Sequence, residues 1–299
     1  MVGLRIMAVV CILGLASAFV ASGYAAPAAL SRDGKALLPI RVAPDASEAV
    51  RRSAADLARL LGRMGGGEFA VVSEAPADGR AIILGRAESF PDLAKDVDWT
   101  PRDITDYERC LLRTQPDRVL LLGATDTAAD AAAWDFLYRL GYRRYFPGEN
   151  WEIVPPPRDL SIDLEVVTRP DFATRVIWYG YGLWDYNAEP YRAWQRANRM
   201  PGRFRLSSGH AYDNIIRRNP QVFKEHPEYL GLWEGERKSS KLCISNPGLR
   251  KAVADWAVRE FRANPDMDSI SMEPSDGGQW CQCEGCEALG SVSDRAVTL

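Results

Sequence analysis

The sequence predicts an α/β protein: an N-terminal domain built on a mixed sheet, then the first half of a (β/α)₈ TIM barrel. Three observations carry this. Between Ala36 and about Val167, short runs rich in Val, Ile and Leu alternate with two amphipathic helix patterns. A stiff joint then follows at Pro155, Pro156 and Pro157, with a boundary at Thr168, Arg169 and Pro170. From Asp171 onward the chain gives four strand-to-helix or strand-to-loop starts in about 130 residues, the pacing of a barrel that takes about 250 when complete.

The chain opens MVGLRIMAVVCILGLASAFVASGYAAPAA, with Arg5 ahead of an apolar run and small residues behind it. This is the pattern of a secretory signal, so residues 1–28 are set apart from the fold and export is expected. Cleavage fits after Ala18, Ala26 or Ala28, with Pro27 disfavouring the middle choice, and an uncleaved N-terminal anchor is the alternative. Once the signal is removed, no stretch approaches the ~18–20 apolar residues of a membrane span.

The first domain, 36–167, starts with a strand pattern, ALLPIRVA. Pro44, Asp45 and Ser47 then introduce a helix with Ala49, Val50, Ala54, Leu57, Leu60 and Leu61 at helical spacing, stopped by Gly65 to Gly67. FAVVSE, AIILGR, YERCLLRT and RVLLLGAT follow as strands. Thr125 or Asp126 caps a second helix, whose face is Ala129, Ala132, Ala133, Phe136, Leu137 and Leu140. The glycine ahead of that helix lacks the spacing of a dinucleotide or phosphate-loop fingerprint. Tyr142, Tyr145, Phe146 and Trp151 read as packing residues.

In the second domain, 171–299, ATRVIWYGYG is the first strand pattern and RFRLSSGHAYDN the second; the third region holds HPEYLGLWEGERK, with a turn at Glu234 to Glu236, and then KLCISNP; DSISMEPSDG is the fourth. A helix-like YRAWQRANRM follows the first. After the third, Asn246 and Pro247 start a helix with Leu249, Val253, Trp256, Ala257 and Phe261 on one face. In DSISMEPSDG, alternation puts Ile270 and Met272 on one face and Ser269, Ser271 and Glu273 on the other. Four strands cannot close a barrel, so the sequence reads as part of a longer protein.

GYRRYFPGENWEIVP, Gly209-His210, FKEHPEYLGLWEGERK, LCISNP and SDGGQWCQCEGC together resemble the secreted bacterial proteins of the domain-of-unknown-function 4838 family. The resemblance implies an N-terminal domain like that of α-glucuronidases and β-hexosaminidases, then a TIM barrel grouped with glycoside hydrolases. It implies a carbohydrate substrate without naming the sugar.

Glycoside hydrolysis needs two carboxyl groups flanking the scissile bond. Glu273, at the end of the fourth strand pattern, is the expected general acid; a rim carboxylate paired with Arg is the bland reading. Asp276 follows with Gly277 and Gly278, grouped with Glu273 at the catalytic site to orient or bind substrate, or else a simple turn residue; the partner carboxylate is expected beyond Leu299. His210, beside Asp213, is a substrate-binding candidate, whereas His226 reads as loop packing. Trp178, Tyr179, Tyr181, Trp184 and Tyr186 crowd the end of the first strand pattern, and Trp233 and Trp280 join them as rings on which a sugar can stack. The rival expectation is a non-catalytic carbohydrate-binding or cell-surface protein using the same rings.

Cys243, Cys281, Cys283 and Cys286 admit three readings: disulfides, which suit an exported protein, a structural zinc, or free thiols. No cofactor is expected beyond that structural zinc, and a catalytic zinc would lack His or carboxylate ligands. Cys110 reads as a buried, unpaired thiol. A formal net charge of -3 without a Lys/Arg block argues against a nucleic-acid partner.

Overall fold

The computed structural model describes residues 27–177, 183–200 and 202–299. The expected signal up to residue 26, and candidates Trp178, Tyr179 and Tyr181, lie outside the described residues.

The first half is a mixed α/β unit. Its elements run β1 (Ala28–Arg32), β2 (Lys35–Ala36), β3 (Ile40–Arg41), α1 (Glu48–Gly65), β4 (Val71–Val72), β5 (Ala81–Arg86), β6 (Cys110–Gln115), β7 (Arg118–Gly123) and α2 (Asp126–Arg139). A small hairpin, β8 (Arg143–Arg144) with β9 (Glu152–Ile153), precedes β10 (Leu160–Ile162) and β11 (Glu165–Thr168). The main sheet has six strands in the order β11-β6-β7-β5-β3-β4. β3, β4, β5 and β7 pair in parallel, while β6 and β11 add antiparallel.

Strand alternation explains the two layers that cover this sheet. Ile82, Leu84, Val119, Leu121 and Leu112 point to the face on which α1 and α2 lie. Ile83, Leu120, Leu122 and Leu111 point to the other face, packed by Phe90, Ala94 and flanking loops. On α1, Val50, Ala54, Leu57, Leu60 and Leu61 are buried as expected, each large one stabilising by about 1.5–3 kcal/mol relative to exposure. Ala49 faces solvent instead. Ser47 caps the start of α1, and Gly66, at φ 77°, closes its end in the left-handed conformation. Thr125 caps α2 by accepting from the Ala128 amide.

Several boundaries differ from expectation. The expected first strand splits into β2 and β3, and an earlier strand, β1, pairs antiparallel with β10 and β2. Ala28 is the first residue of β1 and fully buried, so a cut after Ala26 would leave the strand whole and a cut after Ala28 would not. Tyr142 packs inside as expected, but Tyr145, Phe146 and Trp151 are exposed.

The second half holds α3 (Asp185–Ala197), α4 (Tyr212–Arg218), α5 (Pro220–Glu225), β12 (Gly231–Trp233), β13 (Glu236–Ser239), α6 (Pro247–Ala263), α7 (Glu284–Glu287) and α8 (Val292–Ala296). α3 starts ahead of the expected helix and carries Pro190 within it. β12 and β13 form a hairpin, turned by Glu234 and Gly235 at φ 51° and 78°. KLCISNP is not a strand. Leu242 sits at φ 42°, and the segment turns so that Leu242, Cys243 and Ile244 all enter the core and Asn246 caps α6. Leu249, Val253 and Trp256 of α6 are buried, whereas Phe261 is not.

Segments 205–211 and 268–273 run side by side, with a parallel bridge between His210 and Glu273. The Ala211 amide donates to the Glu273 carbonyl at 2.8 Å. α4, α5, the β12–β13 hairpin and α6 lie between them in sequence, so the two segments run parallel across a long connection and are joined by one isolated bridge.

Candidate active site and cysteine cluster

The alternation in DSISMEPSDG holds and positions the site. Ile270 and Met272 pack on the second core. Ser269, Ser271 and Glu273 face the neighbouring segment: Ser269 Oγ takes the Ser207 amide at 2.6 Å, and Ser271 Oγ donates to the Gly209 carbonyl at 2.6 Å. The Glu273 Oε2 accepts the Gly209 amide at 2.8 Å. Gly209 adopts φ 106°, a conformation open to glycine, which turns its amide toward that carboxylate.

His210, Glu273 and Asp276 thereby meet at the ends of two parallel segments. His210 Nε2 lies 3.3 Å from Asp276 Oδ1, with the His210 side chain 51% exposed and that of Asp276 96% exposed. His210 also lines a cleft of about 310 Å³ shared with Asn214, Trp256 and Ser271. A cleft of about 270 Å³ lies elsewhere, against Glu108, Asp135, Arg175 and Arg199. There the charges already pair, Arg175 with Glu108 and Arg199 with Asp135, so the groups serve to hold the fold.

Lys241 belongs to the site and was not foreseen. It is only 3% exposed, its ammonium donates to the Asp276 carbonyl at 3.1 Å, and it lies 5.1 Å over the Trp280 ring. Burial lowers its pKa, against the pull of Asp276 and Asp213 in the opposite direction. Asp213, in the first turn of α4, is thus a near neighbour of the cluster. A lysine after two serines reads as surface, so the sequence carried no signal of its burial.

The aromatic candidates divide. Trp280 is half-buried under Lys241, and Trp233 is half-buried on β12. Trp184 and Tyr186 stack on each other in the open, 5.9 Å apart with planes 5° from parallel. His226 stays away from the site: its ring stacks on Tyr229 at 4.7 Å and its Nδ1 lies 2.9 Å from Glu228.

Cys243, Cys281, Cys283 and Cys286 converge, with their sulfurs within 4.8 Å of one another. None is joined in a disulfide. Hydrogen bonds from Cys281 and then Cys286 hold the Cys243 thiol well below the usual range, and the same contact pushes Cys281 up. The loop with Cys281 is tied to the hairpin: the Gln282 amide donates to the Leu232 carbonyl at 2.8 Å, and Ser239 Oγ donates to the Gln279 carbonyl at 2.6 Å. Cys110 stands apart, buried in β6, where burial pushes its thiol to about 12.

No helix among the described residues is long and apolar enough to cross a membrane. No curated protein matches the chain. The family model described as Domain of unknown function (DUF4838) matches residues 146–296, which include β10, β11, the paired segments and all four clustered cysteines, and the chain belongs to that family.

Proposed function

We propose that this is an exported carbohydrate-active protein that hydrolyses O-glycosidic bonds, built on a glucuronidase-like N-terminal domain and the opening strands of a TIM barrel. The observation that supports it is the meeting of His210, Glu273 and Asp276 at the ends of two parallel segments, since barrel enzymes place their chemistry at that end of the strands. Glu273 is the general acid, held by the Gly209 amide. Asp276 and His210 position the sugar hydroxyls. Lys241, inside the same cluster, fixes the loop that presents Asp276 and Trp280.

A binding role without hydrolysis is the second reading. It draws on the open Trp184–Tyr186 stack, a flat apolar surface of the kind that pyranose rings cover, and on the near-complete exposure of Asp276. The deciding experiment incubates the purified protein and E273Q with a panel of oligosaccharides, measuring both product release and retention on the immobilised glycan. Hydrolysis by the wild type and its loss in E273Q, with retention kept, supports the enzyme. Retention by both proteins without product supports the binding reading.

A further inference from the structure

The four cysteines carry an assignment that stands apart from the carbohydrate site. We infer that Cys243, Cys281, Cys283 and Cys286 form a tetrathiolate zinc site, and that the metal braces the loop between Asp276 and Cys283.

The geometry carries the argument. Neighbouring sulfurs lie 3.4 Å apart (Cys281–Cys283), 3.6 Å (Cys243–Cys283) and 3.9 Å (Cys243–Cys286). Four thiolates at a Zn–S distance of about 2.3 Å, in a tetrahedron, have edges of about 3.8 Å. Two disulfides would instead gather the sulfurs into two pairs at about 2.05 Å. Here one sulfur, Cys243, has two of the others as near neighbours, and no S–S bond is present among the four.

The surroundings suit a negatively charged cluster. Binding of Zn²⁺ by four thiols releases four protons to solvent and leaves a net charge of two minus on the site. N–H and cationic groups already point there: the Leu232 amide at 3.3 Å and the Arg237 guanidinium at 3.7 Å from Cys281 Sγ. Ser245 Oγ lies 3.2 Å from Cys286 Sγ. Such donors to ligand sulfur orient the ligands and temper their charge. Tyr212, buried in the same core, has a hydroxyl that finds no partner among the described residues. Cys243, Cys281 and Cys286 are buried and Cys283 is partly so, which gives the closed shell of a structural site.

The ligands also come from separate pieces of chain. Cys243 lies in the turn before α6, Cys281 and Cys283 in the loop after Asp276, and Cys286 in the one-turn α7. A metal at their centre therefore fastens the loop carrying Asp276 and Trp280 to the start of α6.

The test is elemental analysis of the full 299-residue chain, purified aerobically without chelator. One zinc per chain is expected, lost in C243S and in C286S and retained in C110S. Should the serine variants fail to fold, cobalt(II) exchanged into the wild type gives the intense sulfur-to-cobalt charge-transfer and visible bands of a tetrahedral tetrathiolate. Hydrogen exchange supplies the bracing readout: chelation should speed exchange across 276–283 at least tenfold and leave 81–86 unchanged. Zinc-free protein with disulfide-linked peptides among the four cysteines overturns the assignment, as does stoichiometric iron. Metal loss with unchanged exchange at 276–283 overturns the brace. Neither outcome depends on whether any glycan is cleaved.

Discussion

Arg196, near the end of α3, donates to Asp130 on α2 at 2.8 Å and reaches Asp56 on α1 at 3.0 Å with its other terminal nitrogen. One guanidinium thus ties α3 to both helices of the first unit. The fork geometry matters, because a lysine offers a single point of charge and cannot span both carboxylates. All three side chains are partly exposed, so R196A should cost about 1–2 kcal/mol, in the range between surface pairs and hydrogen bonds to charged groups. R196K should recover less than half of that loss. Urea denaturation of the three proteins measures both.

At Gly123 the last residue of β7 passes directly under the first turn of α2, and a Cβ there would overlap the backbone of Ala128 and Ala129. Backbone cannot swing aside as a flexible side chain can. G123A should therefore lose about 3 kcal/mol of stability, the upper end of the usual cost of overpacking. Gly278 is the control: a Cβ there meets nothing, and G278A should fall within about 0.5 kcal/mol of wild type in thermal melts.

The Asp103 carboxylate caps a short helical turn. The hydroxyl of Thr105 donates to it at 2.6 Å and the Thr105 amide at 2.8 Å, and Arg169 adds a further bond at 2.7 Å. Together they bring its pKa down to about 2, from 3.8 in the absence of these partners. A depressed carboxylate binds its proton more weakly when folded. Its stabilisation is fully present above pH 3.8 and is lost as pH falls through about 2. NMR titration of the side-chain carboxyl carbon should find that midpoint, and T105V should raise it more than R169Q, because the threonine bonds contribute most.

The two halves of the chain differed in how much they revealed. β5, β6, β7, α1 and α2 were legible because each is long enough for its apolar period to show, and each buries the residues that period selects, Ala49 at the start of α1 excepted. β1 and β10 were not, since short strands that pair across the whole unit leave no local trace. KLCISNP misled for a physical reason: Leu242, Cys243 and Ile244 are all buried, as in a central strand, but they line a turn around the cysteines. At the site, alternation placed Glu273 beside the serines and away from Ile270 and Met272. The approach of Gly209 and the burial of Lys241 depend on how distant segments pack, which no local pattern records.

The pairing of Ala28 with Ile162 sets a timetable for biosynthesis. β1 is the first strand to leave the ribosome, yet its partner β10 is made only after α1, α2 and every main-sheet strand except β11. Until then β1 presents an unpaired, largely apolar edge, the kind of surface that a holding chaperone covers and that invites wrong strand pairing. The first unit is therefore sealed from its two ends at once, late in its own synthesis, and a nascent chain halted before Leu160 would carry an open seam.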